Sequence, residues 1–427
     1  MPYSPRVSQT PPPTLVRRLG LGDAVVIGLG SMIGAGLFAA FSPAALAAGN
    51  GLLVGLAVAA LVAFFNATSS AQLAAQYPSS GGTYVYGRER LGPWWGFAAG
   101  WSFVIGKTAS CAAMAMTFAA YAAPAGWERP VAIGAVVLLV AVNLRGITRT
   151  AMLTRIIVVV VLLTLAVTVA ASAATGLPQS VALDAPSLIS AGPYGILQSA
   201  GILFFAFAGY ARIATMGEEV KDPARTIPLA IILALGIAVT LYAIVAVVLL
   251  TGLGAAQLAA SSAPLSDLVA SGPWSWATPV VRVGAAAASL GALLALIAGI
   301  GRTTLAMARE GDLPRGLAAV HPRFRVPYRA EIALGIVVCA VIAVADLRGA
   351  IAFSSFGVLL YYFVANLAAF TQTEPNRRYP RMLQVVGAIA CLLLVATLPP
   401  LGIAVGASVL VAGLLLRLVL RGIRRSS

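Results

Sequence analysis

Twelve apolar runs recur along the chain, each about as long as the ~20 residues a helix needs to cross a bilayer. Charge, proline or glycine separates one run from the next. They begin near Asp23, Gly51, Pro93, Pro130, Thr154, Gly195, Ile227, Thr278, Ile332, Ile351, Val385 and Gly402. Hydrocarbon offers no water to backbone N–H and C=O groups, so each run must satisfy them internally, as a helix. The runs are continuous and lack the alternating strands of roughly ten residues that build a transmembrane β-barrel. Only 10% of the 427 residues are charged, against roughly 25% in a soluble domain. The pattern predicts an all-α, multi-pass membrane protein of twelve helices embedded in a lipid bilayer.

The basic residues set its orientation. Of 28 Lys and Arg, three (Arg129, Arg282, Arg348) fall in odd-numbered connections and two (Lys107, Arg212) inside spans. The other 23 occupy the tails and the even-numbered connections. The positive-inside rule then predicts that the N- and C-termini face the cytoplasm of the cell membrane, with an even number of spans. The net charge of +15 is therefore topological, and no nucleic-acid partner is expected. The polar, Pro-rich start of the chain lacks the charged, apolar and cleavage regions of a signal peptide. Cys111, Cys339 and Cys391 sit in apolar runs and form no disulfide framework or CxxC pair. His321 is the single histidine, so no His-based metal site is expected, and no cofactor is indicated.

Two spans read as broken. The first carries four glycines in Gly28-Leu-Gly30-Ser31-Met32-Ile33-Gly34-Ala35-Gly36; the sixth reads Phe204-Phe205-Ala206-Phe207-Ala208-Gly209-Tyr210. First and sixth are corresponding positions of two five-helix halves, and such paired interruptions point to a transporter binding site. Unwinding frees N–H groups at one helix end and C=O groups at the other. A zwitterion supplies a carboxylate for the first and an ammonium for the second. The glycines have a second reading, as a small-xxx-small packing face at Gly30 and Gly34. A dinucleotide fingerprint is excluded, because its third glycine would fall on Ile33.

At these residues the chain resembles the amino acid–polyamine–organocation (APC) superfamily of permeases. The matching pieces are Gly28 to Phe38, Phe204 to Gly209, and Pro78-Ser-Ser-Gly81-Gly82 with Tyr84. Two more follow: Glu218-Glu219-Val-Lys221-Asp222-Pro223 through Pro228, and Arg302 through Ala306-Met307-Ala308-Arg309-Glu310-Gly311 to Pro314. The resemblance implies a leucine-transporter-type five-plus-five inverted repeat with discontinuous helices 1 and 6. Its parts would be a cytoplasmic tail (1–20), a first repeat (21–176), a second repeat (195–370), and two peripheral helices with a basic tail (383–427). The implied activity is amino-acid uptake, usually coupled to protons, or exchange.

Carried over residue by residue, the substrate carboxylate would meet N–H groups near Gly34, Ala35 and Gly36. The ammonium would meet carbonyls of Met32, Phe205 and Ala208. Phe205 and Phe207 would line or cover the site, or pack helices. Ala35 stands where the family often has Ser or Thr. Ser31 either replaces that hydroxyl or is a packing residue. Glu219 and a basic residue such as Arg302 would contribute to an inner gate, or the charged segment is a solvated interface where the chain leaves the membrane. Two departures stand out: Val161 where some proton-coupled relatives carry a lysine, and Gly106 where cationic-amino-acid relatives can place a glutamate.

Lys107 and Arg212 fit no topological role, and ionisable groups at membrane depth are functional candidates. Lys107 lies mid-span between Pro93 and Ala123, about 20 Å of helix from either end. Its roughly 6 Å stem cannot reach an interface, so it is expected to carry, or stand in for, the coupling cation, or else to stay charged on backbone carbonyls of the broken first span. Arg212 would reach an acidic substrate side chain or pair with Glu219. No acidic residue lies deep in a span, which favours a neutral amino acid, an anionic one next, and disfavours polyamines. A membrane-embedded enzyme would need clustered His, Asp or Glu, which the sequence lacks.

Overall fold

The structure is a computed structural model describing residues 18–78, 81–146, 151–174 and 184–426. The tail up to Arg17, Arg149, and the side chains of Arg424 and Arg425 lie outside the described residues. The helices in chain order are α1 (Leu21–Met32), α2 (Ala35–Ala39), α3 (Phe41–Ala48), α4 (Leu52–Gln76), α5 (Gly82–Leu91) and α6 (Pro93–Ala122). Then come α7 (Glu128–Leu144), α8 (Ala151–Ala174), α9 (Ala185–Ile189), α10 (Gly192–Phe207), α11 (Ala211–Ala214) and α12 (Pro223–Ala260). The last are α13 (Pro264–Ala270), α14 (Thr278–Arg309), α15 (Tyr328–Val344), α16 (Leu347–Phe370), α17 (Arg381–Thr397) and α18 (Pro400–Ser426).

A helix begins within four residues of each expected span start. Proline does part of this work: Pro93 opens α6 and Pro223 opens α12, positions where a missing N–H costs nothing. Among the described residues, nine helical stretches are long and apolar enough to cross a bilayer, and Arg381–Thr397 is a shorter apolar helix. Large apolar side chains exposed along α8, α12, α15, α17 and α18, such as Leu163, Ile237, Ile336, Leu393 and Leu401, suit a lipid surrounding. The protein is a multi-pass helical membrane protein.

The centre of the bundle is α6, which packs along α14 and α16. Of the first interrupted segment α2 meets it, while α1 is held by α12 and α8, and α10 by α4. The outermost helices are α17, on α16, and α18, which touches α16 and α6. Arg282 and Arg348, two of the three odd-connection arginines, donate to the carbonyls of Tyr121 and Ala259 at the ends of α6 and α12. Cations favour helix C-termini in this way.

Candidate functional site

Both interruptions are present, and they differ. Helix α1 stops at Met32; Ile33 (φ −81°, ψ 67°) and Gly34 (φ −126°, ψ −135°) leave the helical region before α2 begins. In the sixth segment, α10 tightens into a 3₁₀ turn, Ala208–Tyr210, that runs into α11 with right-handed backbone throughout. The first break is an opening of the helix and the second a tightening. The two touch at Gly209, where an added Cβ would strike the backbone of Ser31 and Met32. Only glycine allows that approach.

The carbonyls expected to receive an ammonium are already engaged. Met32 O accepts from Gly34 N (2.9 Å) and from the Tyr242 hydroxyl (2.8 Å). Phe205 O accepts from Ala208 N. Ala208 O accepts from Lys107 Nζ at 3.1 Å. Lys107 is 6% exposed, so the ammonium that sequence places at membrane depth ends on the broken sixth segment. A carbonyl has two lone pairs, so Met32 O, with two donors, is fully engaged.

Tyr242 is a residue that sequence reasoning missed. Fully buried on α12, its hydroxyl lies 2.8 Å from Met32 O and 2.9 Å from Ala206 O, bridging the two interruptions. Its ring packs on Phe207 and Phe41 at centroid distances of 5.1 and 6.5 Å. One tyrosine in an apolar run gives no signal of this, because the bridge exists only once α12 lies across both breaks. Tyr242→Phe is expected to keep the ring packing, lose about 1 kcal/mol of stability, and slow transport. Thermal unfolding and uptake on one preparation check this; unchanged uptake would remove Tyr242 from the site.

On the donor side, the N–H groups of Ala35 and Gly36 open α2 and meet no backbone acceptor among the described residues, whereas Gly34 N is spent on Met32 O. Neither glycine points its α-hydrogen into open space. A Cβ at Gly36 would lie 2.5 Å from Ala206 Cα, and one at Gly34 2.8 Å from Ala292 Cβ. Valine at either position would therefore disturb helix packing. Ser31 is half-buried and its hydroxyl donates to Ile27 O at 2.9 Å, so its proton is committed to its own helix. Phe205 and Phe207 are both buried.

The two departures acquire structural reasons. A Cβ at Gly106 would stand 3.1 Å from Gly357 Cα and from Ser354 O on α16, so a larger residue there requires α16 to shift. Val161 is buried on α8, which packs on α1 and α14 and makes little contact with α6. Lys107 reaches Ala208 instead of the space beside Val161.

At the Arg-rich end, Glu219 and Arg302 form no ion pair among the described residues. Glu219 acts through its backbone: its carbonyl accepts from Arg18 N and Leu19 N at 3.0 and 3.1 Å, and Lys221 N donates to Leu19 O. This strap holds the start of α1 to the loop after α11, and the Asp23–Arg155 ion pair ties α1 to α8. Arg212 is half-buried and donates to Thr215 Oγ1 at 3.4 Å; Glu219 attracts it and Arg302 repels it without a direct pair. A groove of about 300 Å³, lined by Phe363, Asn366, Phe370 and Gln384 among others, lies peripherally between α16 and α17, away from both breaks. No group of three or more metal-ligating side chains occurs among the described residues.

The amino acid permease family profile matches residues 19–418, spanning both interruptions. The chain belongs to the amino acid permease family. The permease is 59% identical to an uncharacterized transporter of Mycobacterium tuberculosis over 402 residues, covering 94% of this chain and 91% of the relative. It is 27% identical to the branched-chain amino acid permease BcaP of Bacillus subtilis over 397 residues, 88% of this chain and 84% of that one. To the human cationic amino acid transporter 4 it is 28% identical over 376 residues, 82% of this chain and 59% of the relative. The permease is a membrane transporter of the APC superfamily and not an enzyme.

Proposed function

We propose that this permease is a secondary active importer of a neutral amino acid, coupled to protons and working by alternating access in the cell membrane. Its twelve spans comprise two inverted five-helix repeats (21–176 and 195–370) and two peripheral helices (383–427), with both termini cytoplasmic. The observation that carries the reading is Lys107 at Ala208 O. The protein's own ammonium occupies an acceptor at the break, where an empty carrier would otherwise leave a buried carbonyl unpaired. A substrate ammonium shares or takes that acceptor, and its carboxylate meets the free N–H groups of Ala35 and Gly36. Displacing Lys107 links substrate binding to the state of that lysine.

Neutral selectivity follows from charge. A cationic side chain at this depth needs a carboxylate, and the acidic residues lie at helix ends or in loops. The crowding at Gly106 also supports this, and the relative named for branched-chain substrates accords with it. The relative named for cationic substrates keeps exchange of amino acids or polyamines as the second reading.

Purified protein in liposomes, given labelled leucine, isoleucine, valine, glutamate, arginine or putrescine under an inward proton gradient, tests these statements. Saturable leucine-class uptake that grows with the gradient is expected, and saturable arginine uptake would overturn the selectivity. Lys107→Ala is expected to cut gradient-driven accumulation about tenfold, the scale of one lost charge-assisted hydrogen bond, while exchange persists. If the variant keeps both rate and pH dependence, Lys107 has no coupling role.

A further inference from the structure

Glu331 has no part in the site above. It sits in the first turn of α15, 2% exposed, and its Oε2 is buried without a hydrogen-bond partner among the described residues. Buried carboxyl oxygens are ordinarily paired, because an ionised carboxylate without donors is costly to keep out of water. The side chain rests against α14 where that helix has none of its own: a Cβ at Gly301 would stand 2.9 Å from Glu331 Cγ and 3.3 Å from Oε1. The next residue along α14 is the exposed Arg302.

Four elements pack against α15: α7, α14, α6 and the 3₁₀ turn Arg315–Ala318. Their charged or titratable groups are Arg145 at the end of α7, Arg302 and Arg309 on α14, Lys107 and Cys111 in the middle of α6, and Arg315 in the turn. Arg282 on α14, Tyr121 on α6, and Glu128 and Arg129 on α7 lie at the opposite helix ends; α15 itself adds Tyr328, Arg329 and Cys339. The loop leading into it adds His321, whose ring lies 5.9 Å from that of Tyr328, with Arg323 and Arg325. Of all these, Arg302 is the charge next to Gly301, the residue Glu331 rests against, and the two form no ion pair among the described residues. Arg302 also acts on Arg212, which in turn feels Glu219. Glu331, Arg302, Arg212 and Glu219 thus all belong to the Arg-rich end of the bundle, two acids and two arginines.

We propose that Glu331 is a proton-binding site of the transport cycle. It keeps its proton while Arg302 stands off, as in this structure, and releases it when Arg302 closes on the carboxylate. The chemistry is one O–H bond broken, with the proton passing to water at the Arg-rich end. Arg302 then exchanges a repulsive neighbour, Arg212, for an attractive one, so the proton's departure and the rearrangement of this end favour each other. The proposal rests on the proton-coupled reading of the permease and adds to it a carboxyl group distinct from Lys107.

Infrared difference spectroscopy of the full chain in liposomes, scanned over pH without substrate, reports the C=O stretch of protonated carboxyls. Wild type, Glu331→Gln, Arg302→Gln and Arg309→Gln are compared, and leucine uptake is measured over the same pH range. Glu331→Gln is expected to lose one titrating carboxyl band and the pH dependence of leucine uptake. Arg302→Gln should move the pH at which that band disappears, and Arg309→Gln should not. Identical titrations in wild type and Glu331→Gln would overturn the proposal. If Glu331→Gln does not fold, an unmoved band in Arg302→Gln would overturn it equally. Absence of leucine uptake by wild type would count against the substrate reading alone, because the spectroscopic titration needs no substrate.

Discussion

Replacing Asp312 with alanine is expected to cost the fold about 3–5 kcal/mol, because it strands a buried guanidinium without its counter-charge. Asp312 follows Gly311, whose φ of +74° ends α14 and turns the chain inward. The carboxylate is 1% exposed and Arg417 on α18 is 0% exposed. Arg417 Nε and Nη2 lie 2.9 and 2.7 Å from Asp312 Oδ1, and its guanidinium lies over Trp94 and Phe97 at 4.4 and 4.7 Å. The other oxygen accepts from the Tyr84 hydroxyl at 3.0 Å and from Arg88 Nη1 at 3.1 Å. One carboxylate therefore joins α5, the end of α14 and α18. Burial, and then the Asp312 charge, push the Tyr84 phenol well above its ordinary range, so it stays a donor. The check is thermal unfolding in detergent. Asp312→Ala should melt far below wild type, and Asp312→Ala combined with Arg417→Met should recover much of the loss, since an apolar side chain needs no partner. An unchanged melting midpoint in the single variant would sink this account.

Gly209→Val should reduce uptake about a hundredfold, the scale on which displacing a positioned group by about 1 Å acts in catalysis. The added Cβ meets the backbone of Ser31 and Met32, and backbone cannot rotate aside as a flexible side chain can. The two interruptions must separate, and with them the Tyr242 bridge between Met32 O and Ala206 O. Leucine uptake in liposomes, on protein that remains monodisperse, is the measurement. Wild-type rates in Gly209→Val would mean that contact between the breaks is not needed for transport.

The legible part of the site was its first interruption and its lysine. The glycine-rich stretch from Gly28 to Gly36 marks where the first segment leaves the helix, after Met32, and a lysine in the middle of a 30-residue helix must find a partner at membrane depth. The sixth segment was legible as a place and misjudged in form. Its residues tighten to 3₁₀ geometry and keep right-handed backbone, which no residue between Phe204 and Tyr210 announces. The Glu219–Arg302 pair was plausible from charge alone, yet Glu219 contributes its carbonyl to a strap with Arg18 and Leu19. Ser31 was open between two roles, and its hydroxyl turned out to be committed to Ile27 O.

What the sequence determined by itself is where the chain enters and leaves the apolar phase. Hydrocarbon imposes a one-dimensional rule, about 20 apolar residues closed by internal hydrogen bonds, and such a rule is written in consecutive residues. The tertiary structure alone decided which acceptor Lys107 takes, that Tyr242 spans both breaks, that Gly106 lies close against α16, and that Asp312 receives Arg417 from a helix 105 positions away. Each is a contact of a few ångströms between helices far apart in the chain. Its strength falls steeply with distance and angle, and those are set by how whole helices pack, not by the order of residues within any one of them.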